Sequence, residues 1–424
     1  MLIIILRIFR PADIGIIGGD VRKQLVFRFY GLVVLLYLSD MVLFLSNLWN
    51  AYRITSSSVF LGVTMAFGIL TPYLLKKSKL VRIKSSLRLV DLYKRRIIIY
   101  SLLLLIALFH YVDSPFGFIA VSISIGYLSL ITLSTLETYN TKLALSGYIS
   151  AQKASRIMQT VVQIGAFLGA ALSGYLLKAT SSQGIAAGVG YNGLIAAICL
   201  FDIIVSLVAG YVIFRDEYST DNATNATQLA TEKMQTTPPK ADGLTSELKL
   251  LCVSIGLIGF HICAYNTLAT ILFQSVKNFG SEYYGLCSAI AGVGAFLAAF
   301  IKIPRFEFIL PALLLSVADA IFSITQLPYL AVVFCFFIGF SMNTMRINAR
   351  KHMIEATKTE AQAELVGSYS GMLYTLSQSA GYVILGLLTS STLMGPQAAV
   401  YLLPLIGFII FIYVLSLSLQ RTTA

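Results

Sequence analysis

The chain has 424 residues, 57% of them hydrophobic and only 12% charged, where an ordinary soluble domain is roughly a quarter charged. A water-soluble core cannot absorb so much apolar sequence, so the composition excludes a soluble globular protein and points to a membrane. The formal net charge of +12 would suggest nucleic acid in a soluble chain; here it bears on orientation, because cationic loops orient membrane proteins, and no nucleic-acid partner is expected.

The first 28 residues open MLIIILRIFRPADIGIIGGD. Their apolar run is shorter than a signal-peptide core and no small-residue cleavage site follows, so they read as a cytoplasmic lead-in. Twelve apolar stretches of roughly membrane-spanning length then follow: 29–49, 56–75, 97–112, 116–137, 157–177, 189–213, 250–274, 282–301, 307–325, 328–345, 366–389 and 397–418. Backbone groups in hydrocarbon need partners within their own segment, so each stretch is expected to be a helix. The expected fold class is an all-α membrane protein with twelve transmembrane helices in two six-helix halves.

Charge gives an independent check. With the N-terminus inside, 28 of the 31 Lys and Arg fall on cytoplasmic segments, and only Arg53, Lys178 and Lys277 fall outside. A missed or extra span would scramble that alternation, so both termini are expected in the cytoplasm, including the short tail 419–424. Residues 215–249, rich in Thr, Asn and Pro, read as a flexible linker between a first half, 29–214, and a second, 250–418. The sequons at Asn222 and Asn225 lie in this cytoplasmic loop and are chance matches. Two six-span halves joined by such a linker are the layout of a duplicated transporter. Glycines recur in spans 2, 5, 8 and 11 (Gly62, Gly68; Gly165, Gly169, Gly174; Gly285, Gly292, Gly294; Gly367, Gly371, Gly381, Gly386). They mark either a repeated three-span unit or ordinary tight helix packing.

Ionisable groups within a span need a reason. Asp40 (span 1), Asp202 (span 6) and Asp319 (span 9) qualify, and no Lys or Arg is expected at mid-span to pair with them. Tyr37 and Asn47, three before and seven after Asp40, share its helical face. A lone buried carboxylate can exchange a proton, so Asp40 is the first candidate for coupling; the alternative is a hydrogen bond inside the bundle. Asp202 and Asp319 are expected in structural or relay roles. Span 7 offers His261, Tyr265 and Asn266, and span 4 offers Tyr127 and Glu137; each is a cavity-lining candidate or an interhelical hydrogen-bonding group. The five cysteines lie in apolar stretches without metal-type spacing and read as buried small hydrophobes. The three histidines are too dispersed for a metal cluster, and no phosphate-cradling loop or zinc-protease motif occurs. No metal and no cofactor are expected.

The stretch FSMNTMRINARKHMIEATKTEAQAELVGSYSG, residues 340 to 371, is the polar run between spans 10 and 11. Asn343, Arg346 and Arg350 are spaced three and four apart on one helical face. That face could meet a carboxylate such as Glu355 or Glu364 and lock a cytoplasmic gate, could receive an anionic substrate, or could simply anchor the chain.

Twelve spans, a six-plus-six division and both ends inside resemble the major facilitator superfamily over essentially the whole chain. The loop after span 2 ends LRLVDLYKRR, in which Leu89, Asp91, Arg95 and Arg96 are similar to that family's G-x-L-A-D-R-x-G-R-R signature. Gly339, Asn343, Thr344, Arg346, Asn348, Arg350 and then Ala363 to Gly367 resemble the siderophore-exporter and drug-antiporter branch. The resemblance implies a secondary transporter working by alternating access, with spans 1, 4, 7 and 10 around a central cavity. It also implies a cytoplasmic gate that includes Asp91, Arg95, Arg96, Asn343, Arg346 and Arg350. The expected activity is proton-coupled export of a siderophore or similar metabolite by a monomer in a bacterial cytoplasmic membrane. Import of siderophores, drug efflux and nutrient uptake share the same layout. A membrane enzyme would need a catalytic constellation, and none is visible.

Overall fold

The computed structural model describes residues 20–77, 89–145, 149, 151–181, 185, 188–224, 244–301, 307–357 and 360–423. Among these residues the chain forms twelve long helices, one for each expected span: α1 (Asp20–Thr55), α2 (Ser58–Lys77), α3 (Leu89–Leu108), α4 (Pro115–Leu145), α5 (Ala151–Ala179), α6 (Gly190–Thr224), α7 (Ser246–Ile271), α8 (Ser281–Ala298), α9 (Ile309–Ile324), α10 (Pro328–Ala356), α11 (Glu360–Leu388) and α12 (Ala399–Thr423). Nine of them are long and apolar enough to cross a bilayer unaided. The other three have visible reasons to fall short. The first two turns of α3 carry Asp91, Lys94, Arg95 and Arg96, α8 opens on Ser281 and Glu282, and α9 has only 16 residues.

Local chemistry sets several ends. The Thr245 side chain accepts the Leu248 N–H and starts α7, and Pro328 sits in the first turn of α10, where a missing N–H costs nothing. Several edges differ from expectation: α1 already includes Asp20, and α4 and α10 run on to Leu145 and Ala356. α3 begins at Leu89, eight residues before the expected start of span 3, and α6 runs on to Thr224, well into the stretch read as linker. Polar residues end a hydropathy run without ending a helix, because the backbone bonds continue into water. Residues 225–243, the rest of the linker, lie outside the described residues.

The packing repeats with a period of six helices. In the first half α1 lies on α5, α3 on α6 and α2 on α4; in the second α7 lies on α11, α9 on α12 and α8 on α10. The halves meet where α5 packs on α8 and α11 on α2, the four helices that carry the recurrent glycines. A Cβ on Gly62 would stand 2.2 Å from the Tyr382 carbonyl oxygen, and one on Gly285 would stand 2.6 Å from Cα of Gly174; only glycine permits these backbones to approach so closely. Large apolar side chains are left exposed on α3, α6, α9 and α12, among them Ile98, Leu102 and Leu105, Ile204 and Leu207, Leu313 and Val317, and Leu405 and Phe408, and also on α10 and α11. These helices turn an apolar face outward. All five cysteines are free and buried.

Candidate functional site

The first helix of each half carries an ionisable group inside the bundle, and each is paired. In the first half Arg96 of α3 lies between Asp40 of α1 and Asp202 of α6. Its Nη2 donates to Asp40 Oδ1 at 2.7 Å and to Asp202 Oδ1 at 2.6 Å; Nη1 reaches Asp40 Oδ2 at 3.0 Å and Nε reaches Asp202 Oδ2 at 3.3 Å. A guanidinium fork can serve two carboxylates in this way because its five donors lie in one plane. Nη1 also donates to Thr132 Oγ1 of α4 at 3.0 Å, the Tyr100 hydroxyl donates to Asp40 Oδ1 at 2.7 Å, and Ser39 Oγ lies 2.6 Å from Asp202 Oδ1. The side chains of Arg96 and Asp202 are fully buried, whereas that of Asp40 keeps 18% exposure.

This arrangement corrects two expectations. Asp40 is not a lone carboxylate, and a basic residue does lie at depth. Arg96, expected at a cytoplasmic gate, is buried, because α3 starts two turns earlier than the apolar run does and carries it into the bundle. Its neighbour Arg95 points elsewhere, half-buried, and donates to the Tyr127 hydroxyl of α4 at 2.8 Å. Asp91 lies one turn earlier on α3. Asn47 faces neither Asp40's partners nor the cavity described below: its amide donates to Ser122 Oγ at 2.8 Å and its carbonyl accepts from the Tyr191 hydroxyl at 3.2 Å. Tyr37 is half-buried on α1. Glu137 lies on α4, but its side chain, like that of Glu364, is outside the described set.

In the second half His261 of α7 meets Asp319 of α9, with Nε2 2.7 Å from Oδ2. Both side chains are essentially sealed. His261 also forms part of the wall of a cavity of about 240 Å³. Met41 of α1 and Gln163 of α5 line it from the first half; Tyr265 and Asn266 of α7, Ser288 of α8, and Asn343 and Arg346 of α10 line it from the second. The cavity thus brings together three residues expected at the substrate (His261, Tyr265, Asn266) and two expected at a gate (Asn343, Arg346). It does not include Asp40, although Met41 beside it contributes.

Most of the polar run after Gly339 holds the end of α10 in place. Asn343 donates to the Ala295 carbonyl at 2.6 Å and Asn348 to the Glu307 carbonyl at 2.6 Å. Lys351 and His352 approach the Glu307 carboxylate at 3.2 and 3.1 Å, and His352 Nδ1 lies 3.3 Å from Glu355. Burial works against ionisation of Glu307, but Lys351 and His352 outweigh it and hold this loop carboxyl below its usual range. Glu355, one of the two carboxylates considered for Arg346, is therefore engaged on α10 itself. Among the described side chains no carboxylate lies within salt-bridge distance of Arg346; its guanidinium stands 5.7 Å from the ring centre of Tyr374 on α11. Arg350 is exposed.

The halves are joined at the end remote from the chain termini. There the Tyr52 hydroxyl meets Ser275 Oγ at 2.7 Å, Gln274 donates to the Trp49 carbonyl at 2.9 Å, Lys178 pairs with Glu282 at 2.9 Å, and Ser58 donates to the Gly386 carbonyl at 2.8 Å. The Trp49 ring stands 5.2 Å from that of Tyr284. Just beyond α7, Lys277 is caged by Phe273, Phe279 and Phe322 and donates to the Phe322 carbonyl. Its ammonium is pushed down to about 8 by burial. The far end is closed; Arg346 stands on the side of the cavity toward the termini.

No protein-family model matches the chain, and no curated protein matches its sequence. Solved transporters share its fold. A bacterial homologue of the iron transporter ferroportin, in an inward-facing state, aligns with a TM-score of 0.66 at 14% identity, over 92% of this chain and 99% of that one. A bacterial metal transporter gives 0.64 at 12% identity, over 92% and 98%. A bacterial homologue of the human lysosomal transporter Spinster, inward-facing and unoccupied, gives 0.61 at 11% identity, over 94% and 96%. The chain is an integral, multi-pass membrane protein with the major facilitator fold, all-helical among the described residues.

Proposed function

We propose that this chain is a secondary active transporter. Its two halves, 29–214 and 250–418, rock about the seam of α2, α5, α8 and α11 to expose a central cavity to each side in turn. The observation that carries this reading is the cavity itself. It lies between helices of both halves, the far end is closed beside it, and its polar wall includes Arg346, Asn343 and Asn266. With both termini in the cytoplasm, as the distribution of Lys and Arg suggests, this is an inward-facing state.

A guanidinium with no carboxylate near it among the described side chains suits the anionic end of a small solute. At about 240 Å³ the cavity lies below the ~300–1,000 Å³ typical of ligand pockets, so it holds one end of a larger cargo and leaves the rest toward the open side. Export of a siderophore or similar metabolite, by a monomer in the cytoplasmic membrane, rests on the α10–α11 motif. Proton coupling rests on the Asp40, Arg96 and Asp202 cluster. With both carboxylates ionised it carries one negative charge in a setting where net charge is costly, and one proton neutralises it. Asp40 is the carrier, being the member with solvent exposure.

The test compares a strain lacking the gene with its parent under iron starvation, first for siderophore secretion and then for use of purified siderophore. Lost secretion with normal use supports export; normal secretion with failed use makes it an importer; no difference in either removes siderophores as cargo. In the same assay Arg346→Ala should reduce transport at least tenfold, a loss of about 1.4 kcal/mol of binding, with near-normal expression. Wild-type transport by that variant would remove Arg346 from the site.

A further inference from the structure

Among the described side chains Asp319 is the most enclosed carboxylate of the second half, and the fold makes room for it. Where α12 passes, residue 407 is glycine; a Cβ there would stand 2.4 Å from Asp319 Oδ2. Yet the carboxylate receives one hydrogen bond, from His261, while Asp319 Oδ1 and His261 Nδ1 are both buried without a partner. Asp202, its counterpart in depth, is served by Arg96 and Ser39 and approached by Ser206 at 3.3 Å. Buried polar atoms left open in this way ask for an explanation.

The groups that face the pair from neighbouring helices are few. Tyr265, one turn along α7, is occupied with Cys335 Sγ at 3.2 Å. Arg346 of α10 shares the cavity wall, with Tyr374 of α11 beside it. α12 presents Gly407, and α1 and α8 present Met41 and Ser288. Among the described residues, no ammonium, guanidinium or second carboxylate pairs with either member. The charge count then matches that of the first half. A neutral imidazole with an ionised Asp319 sums to minus one, as do Arg96 with two ionised aspartates. One proton brings each cluster to zero.

We infer that His261 and Asp319 form a second proton-binding site, so that each half carries one exchangeable proton and the cycle is coupled to two. This rests on the proton-coupled reading above. The open Nδ1 lone pair takes the proton; Nε2–H stays on Asp319 Oδ2, and the pair passes from a net charge of minus one to zero. The same step turns Nδ1 from an acceptor into a donor inside the sealed pair.

The single tryptophan provides the readout. Trp49 packs on Tyr284 across the closed far end, so its fluorescence reports whether that end is open. The full chain in phosphatidylethanolamine and phosphatidylglycerol vesicles is titrated from pH 5 to 9 with the proton as the only ligand. Each linked proton changes the ratio of the two forms by about tenfold per pH unit. The wild type should show about a hundredfold, and His261→Gln, Asp319→Asn and Asp40→Asn should each fall to about tenfold. A hundredfold slope that survives His261→Gln overturns the inference. So does a tenfold wild-type slope that Asp40→Asn abolishes, which would leave the coupling reading intact with one proton in the first half. A flat wild-type curve overturns both. If the variants fail to fold, histidine ¹⁵N resonances of the wild type decide, since only His110, His261 and His352 occur. His261 should pass between neutral and doubly protonated forms in this range, and a single form throughout refutes the site.

Discussion

The two halves solve the problem of a buried carboxylate differently. In the first, three ionisable side chains from α1, α3 and α6 meet, and a hydroxyl from α4 completes the set. The cluster ties four of six helices together and stands apart from the cavity. In the second half two side chains from α7 and α9 meet, and the third helix, α12, contributes only the absence of a side chain. That pair borders the cavity and keeps two polar atoms open. The same helix positions, displaced by six, thus yield a saturated joint in one half and an unsaturated one in the other. A saturated ionic joint is expensive to break, and an unsaturated one is free to respond to what enters the cavity.

The largest effect should come from the saturated joint. Arg96→Met leaves two carboxylates facing each other without a counter-charge, and breaking a buried pair in this manner costs about 3–5 kcal/mol. The variant should lose most of its monodisperse, folded population by size-exclusion chromatography, and Arg96→Met with Asp40→Asn and Asp202→Asn should recover much of it. A fully stable Arg96→Met would remove the contrast between the halves.

Asp319→Asn should cost less, about 1–3 kcal/mol, because it removes a charge from one hydrogen bond and leaves an amide to make another. Thermal unfolding of the two variants in one detergent tests the order; Asp319→Asn below Arg96→Met would reverse it. Gly407→Ala comes next, at about 1–3 kcal/mol for overpacking, and its partner is known. If residue 407 is glycine to admit Asp319, the penalty should shrink in an Asp319→Ala background. An unchanged penalty would mean that α12 needs glycine there for some other neighbour.

Much of this architecture is legible in the sequence, and the failures have physical causes. Each helix is announced by an apolar run, because hydrocarbon allows little else. The glycines of spans 2, 5, 8 and 11 stand out as a group; Gly62, Gly174, Gly285, Gly292 and Gly386 lie on the seam, while Gly68, Gly165, Gly169, Gly294 and Gly381 admit helices of their own half. Arg96 is the instructive miss. It ends a polar run, so a hydropathy window places it at the surface; its depth follows from the register of α3, which a window average discards. A cue was present in LYKRRIIIYS, where Arg96 and Tyr100 are four apart on the face opposite Ile98. His261 and Asp319 were each visible, but their pairing spans 58 residues and belongs to packing alone. Asn47 shares a face with Asp40 and still serves another contact, because α1 is surrounded on several sides and one helical face meets more than one neighbour.

The smallest effect belongs to a surface contrast between the same halves. The end of α10 is pinned by Glu307 between Lys351 and His352, partly exposed to solvent, where ion pairs contribute about 0–1 kcal/mol. The Glu307 carboxyl is held below its usual range, so the folded state favours its ionised form. Its contribution is present above the unfolded value of about 4.3 and is lost as pH falls through the lower folded value. Glu307→Gln should therefore melt slightly below the wild type at pH 7, with the gap closing as the pH is taken below about 4. A gap that widens on acidification would mean that the carboxyl, and not the carboxylate, holds the end of α10. The cavity would then owe the placement of Arg346 to Asn343 and Asn348 alone.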